Sequence, residues 1–149
     1  MNNKKPFSSK EFRAIYSKVH RLCVDLVIKT PKGLVLTLRD IEPQKGKWHL
    51  PGGTVHYREK LADAIKRVAR TELSSKVKIK EFLGYMEFPN EAKDRGFGST
   101  VSLAFLCFSD GETLKPDEQS SEIRTFNKLP PNLIKEQSVF LRSVWRKIR

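Results

Sequence analysis

Hydrophobic residues recur with the period of an α-helix in three stretches of the chain. The clearest stretch is 61–69, where the apolar side chains fall on one face: Leu61, Ala64, Ile65, Val68 and Ala69. The same spacing occurs in residues 12–19, behind two serines suited to an N-cap, and in residues 139–148, after Pro130 and Pro131. We therefore expect a leading helix, a central amphipathic helix and a C-terminal helix.

Between these helices, apolar runs bounded by turn residues predict β-strands. Residues 22–30 and 33–40 flank a Pro-Lys-Gly turn and predict a β-hairpin. Further strands are predicted at residues 48–50, 76–88, 100–108 and 122–126. The stretch 89–99, rich in charge and glycine, is typical of a loop. The order is mixed α/β, with one helix embedded between strands and a helix at each end.

Length and charge narrow the class of protein. A chain of 149 residues suits one domain over residues 1–149. Its 29 Lys and Arg residues against 17 Asp and Glu give a net charge of +12, which favours polyanionic partners, although a solvated basic surface has the same composition. We find no signal peptide pattern and no apolar run that could span a bilayer, so we expect a cytoplasmic protein without a membrane partner. Cys23 and Cys107 lie in apolar runs and are expected to be reduced core residues.

Glu72 is the unusual residue of the central helix. At helical spacing its carboxylate points between the directions of Leu61 and Ile65, on the apolar side. A carboxylate there is costly without a partner, and near a helix C-terminus it opposes the macrodipole. Either it binds a cation or it reaches water where the apolar stripe ends. Gly52 and Gly53 precede the helix and let the backbone approach a ligand, leaving a carbonyl for a metal, although such a pair is more often a plain turn.

These residues match a family pattern. Gly53, Glu59, Arg67 and Glu72 stand in register with the signature of the Nudix hydrolases, which the chain therefore resembles. The match departs from the signature at three positions: Val68, Thr71 and Ser74 replace two glutamates and a glycine. The GDP-mannose mannosyl hydrolases, a Nudix subgroup, show similar losses of acidic residues, and the resemblance to them covers most of the chain. It implies a Nudix hydrolase with an α/β (α+β) Nudix fold, a mixed β-sheet sandwiched between helices.

The resemblance also implies a ligand set. Asp25 and Arg39 would contact the nucleotide of a nucleoside diphosphate sugar, and Arg67 is assigned to substrate binding as well. A single Mg²⁺, or Mn²⁺ in its place, would be held by Gly52, Glu72 and Gln119. Mg²⁺ prefers oxygen ligands and usually takes only one or two carboxylates, so this set is chemically sound. Dimers are frequent in the subgroup, which leaves open a role in dimerisation for the leading segment 1–19.

Two further departures concern the chemistry. Ser120 stands where the subgroup has a histidine base, and Thr54 where it has an arginine that stabilises the leaving diphosphate. A serine is a poor base at neutral pH. The catalytic candidates are therefore Glu72, Glu118 and His56, although His56 and Glu118 also suit exposed loop positions.

Three functions remain open after this step. The first is a Mg²⁺-dependent hydrolase of nucleoside diphosphate sugars, with a substrate like GDP-mannose. The second is a pyrophosphohydrolase of another nucleotide class, in which water attacks phosphorus. The third is a catalytically weakened Nudix-like module that binds nucleotide or RNA, suggested by the net charge of +12 and by the basic tail 141–149, where Trp145 either stacks on a base or packs on the core.

Overall fold

A computed structural model of the chain describes residues 5–111, 114–115 and 120–149. In chain order its helices are α1 (Ser9–Tyr16), α2 (Leu61–Leu73), α3 (Glu91–Arg95) and α4 (Lys135–Ile148). Its strands are β1 (Arg21–Thr30), β2 (Gly33–Arg39), β3 (Trp48–His49), β4 (Gly52–Thr54), β5 (Lys78–Glu87), β6 (Thr100–Phe108) and β7 (Ser120–Phe126). The helices and strands predicted from apolar spacing are confirmed, each strand within about two residues of its predicted bounds.

Two short elements were not predicted. The supposed loop 89–99 contains helix α3, which ends at Gly96 with φ 89° and carries an ion pair of 3.2 Å between Arg95 and Glu91. A helix of five residues is too short to show an apolar period, so the charged composition alone suggested a loop. The double glycine, for which no strand was predicted, lies in strand β4.

Strand β1 is the centre of the sheet. In the described part of the chain the sheet has seven strands, ordered β3-β2-β1-β6-β5, with β4 also paired to β1 and β7 to β2. β1 runs parallel to β6 along its whole length, from the pair Arg21 and Thr100 onward. On its other side β1 pairs with β2 only at Lys29 and Thr30. Nearer the start of β1, at residues 23–25, the partner on that side is β4. The double glycine therefore lies beside the middle of β1.

A hydrophobic cluster fills each face of the sheet. Alternate residues of β1, Val24, Leu26 and Ile28, pack with the predicted buried face of α2, and Leu61 packs at the edge of that cluster. Val27 points to the other face, where Leu141 of α4 belongs to the second cluster. Helices thus cover both faces of the sheet, as the resemblance implied. Burying a side chain of this size stabilises the fold by about 1.5–3 kcal/mol.

Local signals fix where the first two helices end. Ser8 and Glu11 form a capping box, in which each side chain accepts a bond from the backbone of the other. α2 ends at Ser74, which adopts the left-handed conformation with φ 53°. That conformation favours glycine, the residue that Ser74 replaces in the family signature.

The described residues answer two questions about the basic tail and the cysteines. Trp145 is half-buried and packs against the second cluster, which favours the structural interpretation of the tail over base stacking.

Cys23 and Cys107 are buried free thiols, and burial raises their pKa values to about 11 and about 12, so both stay protonated at neutral pH. Within the described ranges, no helix has the length and apolar character needed to cross a membrane.

Candidate active site

The backbone of Gly52 meets the carboxylate of Glu72 at the outer edge of β4. The Gly52 N–H donates to Glu72 Oε2 at 3.1 Å. Antiparallel strands alternate between residue pairs that are hydrogen-bonded to each other and pairs that are not. Here the bonds Leu26 N to Pro51 O and Val55 N to Leu22 O fix the alternation, so Asp25 and Gly52, which lie opposite each other, are not hydrogen-bonded to each other. In such a pair the N–H and C=O of Gly52 both point away from β1. The Gly52 carbonyl is therefore turned to the same edge as the Glu72 carboxylate.

Asp25 lies over Gly52 and is only 7% exposed. Its Oδ2 accepts a hydrogen bond of 2.6 Å from the hydroxyl of Ser102 on β6. A Cβ atom built on Gly52 would lie 2.1 Å from Asp25 Oδ1, so the carboxylate occupies the space that a side chain at position 52 would need. Burial raises the pKa of Asp25 to about 6, while the bond from Ser102 and the charge of Arg21 oppose that rise. Asp25 thus packs closely against the Gly52 backbone, and its bond to Ser102 holds it there.

Arg39 closes β2 at the same end of the molecule. Its Nε donates to the carbonyl of Pro43, and its backbone bonds to Lys47 O and Gly46 N hold the loop 40–47 beneath it. Burial lowers the pKa of Arg39, the charges of Arg95 and Arg21 lower it further, and Glu72 raises it. The charges of Arg95, Arg21 and Glu72 therefore all act on the Arg39 guanidinium.

Arg67 and Glu59 form an internal clamp. Arg67 donates to both oxygens of Glu59, at 2.8 and 3.0 Å, and to the carbonyl of Thr54 at 2.8 Å. By sequence alone, the i,i+4 spacing of Asp63 and Arg67 predicts an ion pair on the helix surface. That prediction is wrong, because Arg67 pairs with Glu59. The segment before α2 folds back over the helix and brings the Glu59 carboxylate and the Thr54 carbonyl to Arg67. The planar guanidinium can bond to both groups at once, whereas an i,i+4 pair would offer it a single carboxylate. Through this clamp Arg67 holds the segment that follows the double glycine.

His56 lies in the same turn. Its backbone N–H donates to Glu59 Oε1 at 3.0 Å, and its side chain is half-buried. Burial, followed by the charge of Arg67, lowers the pKa of His56, which keeps the imidazole neutral at pH 7. The structure thus brings His56 next to Arg67 and Glu59. Glu118 and Gln119 lie outside the described residues; β7 begins at Ser120, which pairs with Arg39.

The described oxygen donors fit a hard divalent cation. The Gly52 carbonyl and the Glu72 carboxylate are both ligand types that Mg²⁺ takes, and Mg²⁺ usually leaves most positions to water and substrate phosphate. Among the described residues no group of three or more His, Cys, Asp or Glu side chains could hold a metal. The described donors therefore suit a cation, such as Mg²⁺ or Mn²⁺, that takes few ligands from the protein.

Several residues near this edge were missed at the sequence level. Arg21 donates to the hydroxyl of Thr54 at 3.1 Å and to that of Thr100 at 3.1 Å, and Glu91 accepts from Thr100 at 2.8 and 2.7 Å. Arg21 and Asp25 lie four residues apart on β1, on one face of the strand, and that spacing was the only signal in the sequence. The contact to Thr100 depends on the parallel pairing of β1 with β6, which no local pattern reveals.

His49 is a buried histidine behind the site. Its Nδ1 donates to the carbonyl of Leu50 at 2.8 Å, so the neutral ring accepts at Nε2 from the Thr37 hydroxyl at 3.0 Å. Burial lowers the pKa of His49 from its ordinary value of 6.5 to about 4, and the charge of Arg39 adds to the effect. Folding therefore holds this ring neutral.

We expect the stabilising effect of a neutral His49 to be lost in acid. Because the folded pKa lies below the unfolded value, stability is fully present above pH 6.5 and falls as the pH drops toward 4. The fall in the pKa of His49 from 6.5 to about 4 corresponds to a loss on the order of 3 kcal/mol. The measurement is urea unfolding of the wild type and of His49→Asn from pH 7 to pH 4, taking the difference at each pH so that other titrating groups cancel. A difference independent of pH would contradict the assignment.

Comparison with known proteins identifies the family. A model of the NUDIX domain matches residues 19–144. The low-salt glycan biosynthesis protein Agl8 of Haloferax volcanii is 39% identical over 124 residues, 81% of this chain and 78% of that protein. The ADP-ribose pyrophosphatase of Methanocaldococcus jannaschii is 30% identical over 111 residues, 73% of this chain and 64% of that protein.

Solved structures share the fold. A NUDIX hydrolase from Nitrosomonas europaea superposes with a TM-score of 0.73 at 21% identity, over 86% of this chain and 71% of that one. At that identity the likeness concerns the fold alone, and it confirms the predicted mixed sheet between helices. The domain match and the relative at 39% identity carry the assignment further. The chain belongs to the Nudix hydrolase family, as its sequence pattern predicted.

Proposed function

We propose that the chain is a Mg²⁺-dependent hydrolase of nucleoside diphosphate sugars, with a substrate like GDP-mannose. One observation carries the proposal: the Gly52 backbone meets the Glu72 carboxylate at β4, and Arg21 bonds to the hydroxyl of Thr54 in the same strand. The charges of Arg95, Arg21 and Glu72 also act on Arg39. Oxygen donors suit Mg²⁺, and guanidinium groups bind phosphate oxygens in bidentate fashion. A diphosphate between metal and arginines satisfies both.

The names of the two relatives support a substrate that contains a sugar. One is named for glycan biosynthesis and the other is called an ADP-ribose pyrophosphatase. Both names fit a sugar-bearing nucleotide better than a nucleoside triphosphate. The net charge of +12 would also raise the rate at which such an anion reaches the site.

In this proposal each residue has a stated task. Gly52 and Glu72 hold Mg²⁺, together with Gln119 from outside the described residues, and Asp25 and Arg39 bind the nucleotide. Bound Mg²⁺ supplies neutralisation of the diphosphate charge. His56 is available as a base because its imidazole is neutral at pH 7, and Glu118 remains a second candidate from outside the described residues. Arg67 acts on the substrate through the segment that it clamps at Thr54.

The function is tested by hydrolysis in ¹⁸O water of GDP-mannose, ADP-ribose, nucleoside triphosphates and a dinucleoside polyphosphate, each with and without Mg²⁺. We expect Mg²⁺-dependent turnover of a sugar nucleotide at least about tenfold above that of the triphosphates, a difference of about 1.4 kcal/mol in transition-state binding. Preference for triphosphates or dinucleotides would replace the proposal by the general pyrophosphohydrolase. No turnover of any nucleotide would favour the binding module.

A second candidate reaction differs in the bond that is broken. Cleavage at the sugar carbon would use a histidine base and an arginine guanidinium, and this chain has Ser120 and Thr54 at those two positions. One relative is named a pyrophosphatase, which also favours attack on phosphorus. The label separates the two reactions. ¹⁸O in free sugar, with GDP as the other product, marks attack at the sugar carbon, whereas ¹⁸O in GMP or in sugar phosphate marks attack on phosphorus.

A further inference from the structure

Glu91 holds two arginines near the site. Its side chain is only 10% exposed and accepts from Arg21 Nη2 at 3.4 Å and from Arg95 Nη1 at 3.2 Å. A Cβ atom on Gly98 would come within 3.0 to 3.2 Å of this carboxyl group, so the glycine lets the backbone close over Glu91. One carboxylate thus serves two guanidinium groups, and the group keeps an excess of positive charge.

Arg21 is fixed at three points beside the double glycine. Its Nε donates to Thr100, its Nη1 to the hydroxyl of Thr54 at 3.1 Å, and its Nη2 to Glu91. Thr54 lies two residues after Gly52 in β4. A guanidinium has five N–H groups, so two remain beyond these three bonds. The side chain is 21% exposed, so part of it reaches the surface of the protein.

Two phenylalanine rings hold the guanidinium planes. Arg95 lies over Phe12 at 5.7 Å and over Phe97 at 4.8 Å, and Arg21 lies over Phe12 at 5.6 Å. The rings of Phe12 and Phe97 are themselves 6.1 Å apart in an edge arrangement. Cation–π contacts of this kind fix a guanidinium without using its N–H groups. Helix α1, which carries Phe12, therefore orients both arginines without engaging the N–H groups that remain after their bonds to Thr54, Thr100 and Glu91.

The loop of Arg39 adjoins this pair. Gln44, in the loop that follows Arg39, donates to Asp94 Oδ2 of α3 at 3.3 Å, next to Arg95. Burial lowers the pKa of Arg39, and the positive charges of Arg95 and Arg21 lower it further. Like charges brought together this way are costly unless an anion shares them.

We propose that Arg21 and Arg95 form, with Arg39, a phosphate-binding cluster that receives the diphosphate of the substrate opposite Gly52 and Glu72. The inference rests on the proposed function in taking a nucleoside diphosphate as the ligand. Arg21 contacts the phosphate oxygens with its two remaining N–H groups. Arg95 contributes charge and N–H donors from α3. Glu91, Phe12 and Phe97 are positioning residues that hold both guanidinium groups.

The test measures GDP binding by calorimetry at low salt with EDTA, so that no metal contributes. We expect Arg21→Gln and Arg95→Gln each to weaken GDP binding about tenfold or more, because each removes charge-assisted bonds to phosphate. Arg21→Lys should lie between, since it keeps the charge and loses the fork. Arg142→Gln, on the exposed face of α4, removes the same charge away from the cluster and should change affinity less than about twofold.

The outcomes separate this proposal from the proposed function. If folded Arg21→Gln and Arg95→Gln bind GDP as tightly as the wild type, or if the wild type binds no GDP, the cluster is overturned. If Arg21→Gln does not fold, Arg95→Gln decides, because Glu91 then keeps Arg21 and Thr100 as partners. Weakened GDP binding in a protein that hydrolyses no sugar nucleotide supports the cluster and overturns only the proposed function.

Discussion

Glu72→Gln is expected to lower kcat/KM for Mg²⁺-dependent hydrolysis about a thousandfold, or about 4 kcal/mol of transition-state stabilisation. The substitution removes the negative charge that would face the proposed Mg²⁺ while keeping the shape of the side chain. The described residues hold no group of three or more acidic or other metal-binding side chains that could compensate. Hydrolysis of GDP-mannose, followed against Mg²⁺ concentration, measures the loss.

The fold should survive this change. The amide oxygen of glutamine can still accept the N–H of Gly52, which bonds to Glu72 Oε2 at 3.1 Å. Removing a negative charge near the C-terminus of α2 also relieves its repulsion with the helix macrodipole, an effect of about 0.3–1 kcal/mol. We therefore expect the free energy of unfolding in urea, with EDTA present, to stay the same or to rise slightly.

Asp63→Asn is the matched control. Asp63 lies on the exposed face of the same helix, so its loss removes an equal charge away from Gly52. It should leave kcat/KM within about twofold, since surface charges contribute little. The metal role of Glu72 would be refuted if Glu72→Gln kept more than a tenth of the wild-type kcat/KM.

The sequence predicted α2 well because the helix buries a periodic face. Periodicity also showed that Glu72 points to the apolar side, and the structure places it half-buried against the Gly52 backbone. Spacing alone could not identify that partner, because it lies across the turn between β4 and α2 and carries no side chain; the family resemblance was what grouped Gly52 with Glu72. Spacing gives the direction of a side chain on its own helix, whereas a backbone donor from another element leaves no pattern.

Arg67 shows the limit of local rules. An i,i+4 spacing suggested Asp63, yet the guanidinium turns back to Glu59 and Thr54, where it makes three bonds in place of one surface pair. The chain before α2 folds back over the helix, and that reversal is not visible in the helical period. The clamp depends on the backbone path and not on spacing.

Arg21 shows the same limit over a longer distance. Its partners Thr100 and Glu91 are 79 and 70 residues away in the chain, and they meet it only because β1 and β6 are parallel neighbours. Thr54 had counted against the site, as the position where an arginine was missing. The structure places the guanidinium of Arg21 at the hydroxyl of that threonine, 3.1 Å away. The positive charge of an arginine that is missing from β4 can therefore be supplied by an arginine of the neighbouring strand β1. The sequence pattern cannot show this, because it does not reveal which strands are neighbours.

Gly52→Ala is expected to damage both the fold and the activity. The new Cβ would lie 2.1 Å from Asp25 Oδ1 and 2.6 Å from the carbonyl of Val24, far inside contact distance. The backbone of Val24 belongs to the central strand and cannot yield, so Asp25 must leave its bond to Ser102 and β4 must move outward. We expect a loss of about 3 kcal/mol in the free energy of unfolding from overpacking. A displaced Gly52 carbonyl should lower kcat/KM at least about a hundredfold.

Gly53→Ala separates this steric effect from any general cost of losing a glycine in β4. A Cβ at Gly53 would meet only Val68 Cγ2, at 3.3 Å, and a side-chain methyl can yield by a few tenths of an ångström. Its cost should stay below about 1 kcal/mol, since small shifts of a core methyl are tolerated. Urea unfolding and hydrolysis rates of the two variants, measured side by side, check the contrast. Equal losses in both would mean that β4 requires glycine for its flexibility, and that the close approach of Asp25 to Gly52 does not govern the site.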